Sequence, residues 1–161
     1  MKETLLGCDL SSTETGWCLA KDGKILKYGT IKPSDKCTPI EKLIAVCEEV
    51  QKMIVKYDVN ELVIEDIYCG YIQAFLILAR LQGAIIHVWY KMKLRSPVII
   101  RTTVARKAIG APPTGKKKEV MEYVNKLLKK DFKNDNISDA CVLVLAYYKL
   151  EEQNGREATG K

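Results

Sequence analysis

Four acidic residues stand where a sheet and a helix would bring them to one metal site. Asp9 ends an apolar run near the N-terminus, and Glu65 ends a second one at 62–64. Asp139 lies near the start of the last apolar helical pattern, with Asp135 four residues before it and therefore on the same helical face. Because sites in open sheets form outside the carboxyl ends of strands, we expect these acids to converge there.

Convergent carboxylates favour the chemistry of hard metal ions. Several carboxylates that share a site cannot all stay ionised without a cation, and oxygen ligands select Mg²⁺ or Mn²⁺. Two such ions about 4 Å apart are a usual apparatus for phosphodiester hydrolysis, in which one activates water and the other stabilises the leaving oxygen. We therefore expect two ions per site. For Asp9 considered alone, the alternative is that it caps a turn.

The positive charge of the chain is concentrated in one segment. Residues 101–133 hold ten Lys and Arg against three acids, whereas the whole chain carries +6. Such a region suggests a polyanionic partner, and the alternative is a solvated, Lys-rich helix face. The acids and this segment together favour a nuclease. The candidates for phosphate contact or for stabilising transition-state charge are Arg106, Lys107, Lys116, Lys117 and Lys118, with Lys117 also a candidate catalytic residue.

Length and composition are typical of one globular domain. The chain has 161 residues, of which 47% are hydrophobic and 29% charged. Neither a basic-then-apolar leader nor a run of about 18 uncharged apolar residues is evident, so we expect a cytoplasmic protein without a membrane partner. Six cysteines without a CxxC pair, in a chain with one His, suggest reduced thiols rather than a zinc site. They are Cys8, Cys18, Cys37, Cys47, Cys69 and Cys141.

The order of predicted elements is β-β-β-α-β-α-β-α-α-α, which indicates an α/β fold with a mixed sheet and helices on both faces. The turn at 21–23 is a strong hairpin signal, and Thr38 to Glu41 forms a capping box with Pro39 at the first helical position. We expect one domain over 1–150 and a flexible polar tail over 151–161. Strands are predicted at 4–10, 16–20, 25–31, 62–64 and 98–100, and helices at 39–56, 71–93, from 102 or 103 to Gly110, from about 116, and from about 134 to 150.

The segment 71–93 is apolar on almost every side. A helix of this composition is buried on two faces. One face would pack on the sheet, and we expect the other to meet a second copy of the chain. The alternative is burial by other elements of the same chain.

Several motifs resemble those of the RuvC-type Holliday junction resolvases, which belong to the ribonuclease H-like superfamily. Gly7-Cys8-Asp9-Leu10-Ser11, followed by Thr15-Gly16-Trp17, is similar to the first-strand motif of that family. The resemblance covers roughly residues 4–150, and its motifs occur in the order and at the spacing of the family. The other matching stretches are Val63 to Tyr68, Ala79 to Ala84, Gly115 to Val120 and Ser138 to Ala140.

This resemblance implies a ribonuclease H-like fold with a five-stranded mixed sheet. It also implies a metal-dependent endonuclease that acts on four-way DNA junctions. A homodimer formed through the helix at 71–93 would place two active sites symmetrically, so that two opposed strands are nicked. Tyr68 matches the family's aromatic residue that meets DNA bases near the junction centre. The alternative for Tyr68 is packing against the long helix.

The last acidic motif departs from the bacterial pattern, which has two acids three residues apart. Asn136 stands three residues before Asp139. Either Asp135 supplies the fourth carboxylate, or Asn136 ligates through its neutral oxygen, or the Asn silences the enzyme. Rival functions are an RNA-processing nuclease of related fold and a non-catalytic junction-binding protein. Actin-like ATPases share the Asp-Ser-Thr turn but need two such domains.

Overall fold

The computed structural model describes residues 3–68 and 70–159, which form a five-stranded mixed sheet with helices on both faces. The sheet order is β3-β2-β1-β4-β5. β1 pairs with β2, and β2 with β3, in antiparallel fashion, whereas β4 is parallel to β1 and β5 is parallel to β4. The strands are β1 (Thr4–Asp9), β2 (Thr15–Lys21), β3 (Lys24–Ile31), β4 (Glu61–Glu65) and β5 (Val98–Ile100).

Five helices complete the described part of the chain, and the predicted order of elements is confirmed. Thr38 caps the first helix and forms the predicted capping box with Glu41. The predicted hairpin turn has Asp22 and Gly23 at positive φ, 50° and 77°, as a tight two-residue connection requires. The helices are α1 (Pro39–Lys56), α2 (Ile72–Lys93), α3 (Thr102–Ala108), α4 (Lys117–Leu128) and α5 (Asp135–Thr159).

Each face of the sheet carries its own hydrophobic core because successive strand residues point to opposite faces. Leu6 and Cys8 of β1 pack with α1 and α2. Leu5 faces the other side, where α3, α4 and α5 pack. By this alternation Gly7 and Asp9 lie on the α5 side, so β1 presents its acid to the helix that carries Asp139.

Two glycines allow α5 to lie directly against the sheet. A Cβ on Gly7 would stand 2.6 Å from Val144 Cγ2 and 2.9 Å from the carbonyl oxygen of Ala140. A Cβ on Gly16 would overlap the main chain of Asn136. Helix α5 can therefore pack this closely on the sheet only because residues 7 and 16 have no side chain.

The last helix is longer than predicted. We expected it to end near Leu150 and to be followed by a polar tail, but α5 continues to Thr159. Residues 151–153 are good helix formers, and Lys149 forms an ion pair of 3.2 Å with Glu152 one turn later. Strong local helix propensity thus extends the helix without an apolar stripe.

The outer face of α2 is exposed in the single chain. Leu81, Ile85 and Trp89 are fully buried along one stripe, whereas Ile72 and Tyr90 on the opposite side are 72% and 51% exposed. Burial of this outer face by the same chain, the alternative above, does not occur among the described residues. By length and composition alone α2 could also cross a membrane, which for a single helix is weak evidence.

Five of the six cysteines are described, and all five are free thiols. Cys69 lies outside the described residues. Burial raises the pKa of Cys8 to about 12, so this thiol stays neutral at physiological pH.

Replacing Gly7 by Ala should destabilise the protein, because the added methyl group would push α5 away from β1. We expect a loss of about 1–3 kcal/mol in the free energy of unfolding, measured by urea denaturation followed by circular dichroism. Gly155→Ala is the matched control in the same helix, where a Cβ has open space around it. Equal stabilities of the two variants would contradict this account of the packing.

Candidate active site

Asp9 and Glu65 meet at the carboxyl ends of two adjacent parallel strands. β1 and β4 pair in register from Leu5 with Glu61 to Cys8 with Ile64, so the next residue of each strand is an acid. Glu65 lies close enough to Asp9 for its charge and its side-chain contact to raise the pKa of Asp9, and Asp9 is only 8% exposed. The predicted neighbourhood of these two acids is confirmed.

Asp139 approaches this pair from α5 and is accompanied by two cations. Its carboxylate lies 3.7 Å from Lys117 Nζ and 3.9 Å from an Arg106 guanidinium nitrogen. Glu65 and Asp139 also line one small cavity beneath the sheet edge. The site therefore combines the buried Asp9 with the partly buried Glu65 and Asp139, and Lys117 and Arg106 lie beside Asp139.

The electrostatics of the site favour the binding of a cation. Burial, followed by the charge of Glu65 and its hydrogen bond, raises the pKa of Asp9 well above its usual range. Burial raises the pKa of Asp139 to about 6, although the charges of Lys117 and Arg106 oppose this shift. In both groups the negative charge is poorly compensated by the chain itself.

Asp135 and Asn136 lie on different sides of the first turn of α5. Asp135 forms an ion pair of 3.0 Å with Lys117, whose hydrogen bond lowers the pKa of this carboxyl. Burial lowers the pKa of Lys117, but the bond to Asp135 and the charge of Asp139 outweigh it and leave this pKa raised. The amide of Asn136 instead donates to Glu14 Oε2 at 3.3 Å, in the β1–β2 turn. The ammonium group of Lys117 therefore contacts both Asp135 and Asp139.

The basic candidates fall into two groups. Arg106 is only 9% exposed, and it also donates to the carbonyl oxygen of Gly115 at 2.9 Å. It therefore connects Asp139 to the loop that precedes α4. The side chains of Lys107, Lys116, Lys117 and Lys118 are exposed on the surface near this loop.

Tyr68 is 97% exposed and does not pack against α2. It lines an open cavity of about 600 Å³ beside the start of α3. Arg101 also lines this cavity, and it forms an ion pair of 3.5 Å with Asp66. The wall thus combines an aromatic ring with cationic and hydroxyl groups. Thr102, Thr103, Thr114 and Arg106 complete its polar lining.

Sequence reasoning missed two residues that contact Glu65. The hydroxyl of Thr102 donates to Glu65 Oε1, and Gln82 Nε2 donates to the main-chain oxygen of Glu65 at 2.9 Å. We considered Thr102 only as a helix cap. The available signal was the position of Thr102 two residues after β5, because Asp9 and Glu65 likewise stand at the ends of neighbouring parallel strands.

The acid group suits a hard divalent ion by the chemistry of its donors, which are all carboxylate oxygens. Over residues 3–68 and 70–159, no three His, Cys, Asp or Glu side chains are close enough together to form a complete set of metal ligands. Asp9, Glu65 and Asp139 thus offer the donor chemistry of a hard-cation site, without the arrangement of a complete ligand set in these ranges.

Comparison with known proteins identifies the family. The model of the family described as "Crossover junction endodeoxyribonuclease RuvC" matches residues 5–147. The chain belongs to the RuvC family. It is therefore a junction-resolving endonuclease, and its membership implies dependence on a divalent metal ion.

Relatives and solved structures agree with this assignment. The crossover junction endodeoxyribonuclease RuvC of Ehrlichia canis (strain Jake) is 25% identical over 148 residues, which cover 89% of this chain and 94% of that protein. The structure of T. thermophilus RuvC in complex with a Holliday junction substrate has a TM-score of 0.76 at 14% identity and covers 94% of this chain and 96% of that one. The yeast mitochondrial Holliday junction resolvase Ydc2 has a TM-score of 0.64 at 14% identity, with coverage of 96% and 82%. The ribonuclease H-like fold of RuvC is thereby confirmed.

The raised pKa values predict that the metal-free protein becomes less stable as the pH rises. Asp139 has an ordinary pKa of 3.8 and a folded value of about 6, so its contribution is full below about pH 4 and is lost as the pH rises through 6. Asp9 acts in the same direction. We expect a loss of order 1–3 kcal/mol by neutral pH, measured as the fall in melting temperature in EDTA, and its reversal by Mg²⁺.

The variant Asp9→Asn should flatten this pH dependence and weaken the stabilisation by Mg²⁺, because one buried negative charge is gone. Asp35→Asn is the control, since that carboxylate is 94% exposed at the surface. Identical pH profiles for the wild type and Asp9→Asn would contradict the electrostatic account of the site.

Proposed function

We propose that this chain is a nuclease that resolves four-way DNA junctions by Mg²⁺- or Mn²⁺-dependent phosphodiester hydrolysis. Residues 1–150 form its nuclease domain, and Asp9, Glu65 and Asp139 hold two metal ions. The observation that carries the proposal is the convergence of these three acids, from two strands and one helix, at one edge of the sheet. Because its substrate is DNA, the protein acts inside the cell.

Bound metal ions would lower the pKa of the attacking water and stabilise the leaving oxygen. The chain supplies the remaining functions. Asp9 and Glu65 form the base of the site, where carboxylates are shielded from water and electrostatic interactions are therefore stronger than in water. Lys117 lies beside Asp139 at the surface of the site, where its ammonium group can contact a phosphate or stabilise transition-state charge.

Asp135 is our candidate for the fourth carboxylate. Its ion pair with Lys117 supports this role, because a cation that bridges Asp135 and Asp139 keeps both acids on one side of the helix. The hydrogen bond of Asn136 to Glu14 argues against a ligand role for that amide.

Branched DNA would be bound by the surface that surrounds the acids. Exposed lysines at 107, 116, 117 and 118 supply phosphate contacts, and buried Arg106 orders the loop beside them. The exposed ring of Tyr68 can stack on a base near the junction centre, a contact worth about 1–3 kcal/mol. The open cavity next to Tyr68 leaves room for such an unpaired base.

The outer face of α2 is our candidate dimer interface. Ile72, Leu76 and Tyr90 lie on one face of the helix, opposite the buried stripe, and are between 39% and 72% exposed. Gly83 lies among them, and a Cβ there would meet no atom within 4 Å. A small residue on an apolar helix face lets a second helix approach closely. A two-fold dimer through this face would present two active sites to two opposed strands.

Replacing a metal-binding acid by its amide should abolish cleavage and preserve binding. We expect Asp9→Asn, Glu65→Gln and Asp139→Asn each to lower the cleavage rate of a synthetic four-way junction by at least about 100-fold with Mg²⁺, because a ligand charge is lost. Junction affinity, measured by gel shift, should change little, since it rests on phosphate contacts. Asp35→Asn, at an exposed acid, should cleave normally.

The same assay separates the rival functions. A matched duplex and an RNA–DNA hybrid are tested beside the junction. Paired, symmetric nicks in the junction alone support the proposal, and preferential cleavage of the hybrid would indicate an RNA-processing nuclease. Binding without cleavage by the wild type would indicate a non-catalytic protein. Full activity of Asp135→Asn would remove Asp135 from the ligand set.

A charge on the outer face of α2 should separate the dimer. We expect Leu76→Glu to be a folded monomer in sedimentation velocity, because a carboxylate would be buried against a second apolar helix. Such a monomer should nick junctions once instead of in pairs. Val55→Glu, at a 67% exposed position on α1, is the control and should remain dimeric. A monomeric wild type at micromolar concentration would contradict this interface.

A further inference from the structure

Glu65 is held by two residues to which the catalytic proposal assigns no part. Thr102 donates its hydroxyl to the carboxylate, and Gln82 donates its amide to the main-chain oxygen at 2.9 Å. The first comes from α3 and the second from α2. The side chain and the backbone of one candidate ligand are thus fixed from two different helices.

The pairing of β4 with β5 brings Thr102 to this position. Glu65 is aligned with Ile100, and the N–H of Asp66 donates to the Ile100 carbonyl oxygen at 2.9 Å. The chain therefore leaves β5 level with the acid and enters α3 at Thr102. Thr102 is the first residue of α3, and its β-branched side chain has few favoured χ1 rotamers.

A Glu side chain without such partners can adopt many rotamers. Metal binding then costs conformational entropy, because only the rotamer that binds the ion is kept. A hydroxyl that occupies one carboxylate oxygen restricts the last torsion and leaves the other oxygen available to a metal ion. Hydrogen bonds of this kind orient metal ligands in other sites, and their loss typically costs 10- to 100-fold in metal affinity or activity.

We propose that Thr102 and Gln82 are positioning residues for Glu65, the first orienting its carboxylate and the second fixing its main chain. This inference rests on the proposed function, because it assumes that Glu65 binds metal. Gln82 has a further consequence, since it precedes Gly83 on the helix that forms the candidate dimer interface. Helix α2 then links the partner-facing surface to a ligand of the active site through a single side chain.

The test of Thr102 compares two substitutions. Thr102→Val keeps the shape of the side chain and removes the donor, whereas Thr102→Ser keeps the donor. We expect Thr102→Val to raise the Mg²⁺ concentration for half-maximal cleavage about 10-fold, with junction affinity unchanged, and Thr102→Ser to restore most of the wild-type value. Thr30→Val is the control on β3, which β2 separates from β1.

Calorimetric titration with Mn²⁺ in the absence of DNA gives a readout that does not depend on activity. Weaker Mn²⁺ binding by Thr102→Val, with recovery in Thr102→Ser, would support the proposal. Unchanged Mn²⁺ binding, or equal loss in both variants, would overturn it. If the wild type binds Mn²⁺ but cuts no junction, the proposed function fails and the role of Thr102 is still decided by the titration.

Gln82→Met tests the second contact, because methionine has similar length and no amide. We expect weaker Mn²⁺ binding while the protein remains a dimer in sedimentation velocity. Wild-type Mn²⁺ affinity in this variant would remove Gln82 from the proposal and leave Thr102 unaffected.

Discussion

The close contact between α5 and the sheet is the constraint on which the rest of the structure depends. Asp139 is 130 positions away from Asp9 in the sequence, and only the docking of α5 brings them into one electrostatic environment. That docking requires bare backbone at Gly7 and Gly16. The site and the packing that assembles it are therefore coupled, since β1 supplies both Asp9 and Gly7.

The burial of the acids, which creates the site, also disfavours their charged forms. Desolvation raises the pKa of Asp9 and of Asp139, so the folded chain retains protons that water would remove. Lys117 and Arg106 oppose this shift at Asp139, and the charge of Lys117 also opposes it at Asp9. If these acids bind a dication as we propose, the site sacrifices stability for affinity, and the flanking core compensates.

Sequence patterns were sufficient for the elements and for the acids, because both follow local rules. Strands that end in an acid and a capping box at Thr38 are visible within a few residues. The predicted length of α5 was wrong, because the helix propensity of residues 151–153 extends the helix beyond its apolar stripe. Thr102, Gln82 and the partner of Asn136 could not be found, because their contacts depend on which strands and helices become neighbours. Tyr68 was predicted from resemblance alone.

The distribution of the three acids along the chain has a consequence for synthesis in the cell. Asp9 and Glu65 emerge from the ribosome early, whereas Asp139 belongs to the last helix. The nascent chain therefore lacks a complete acid group until its final segment has docked on β1. A truncated product that ends before α5 would lack Asp139 and would leave one face of its sheet uncovered.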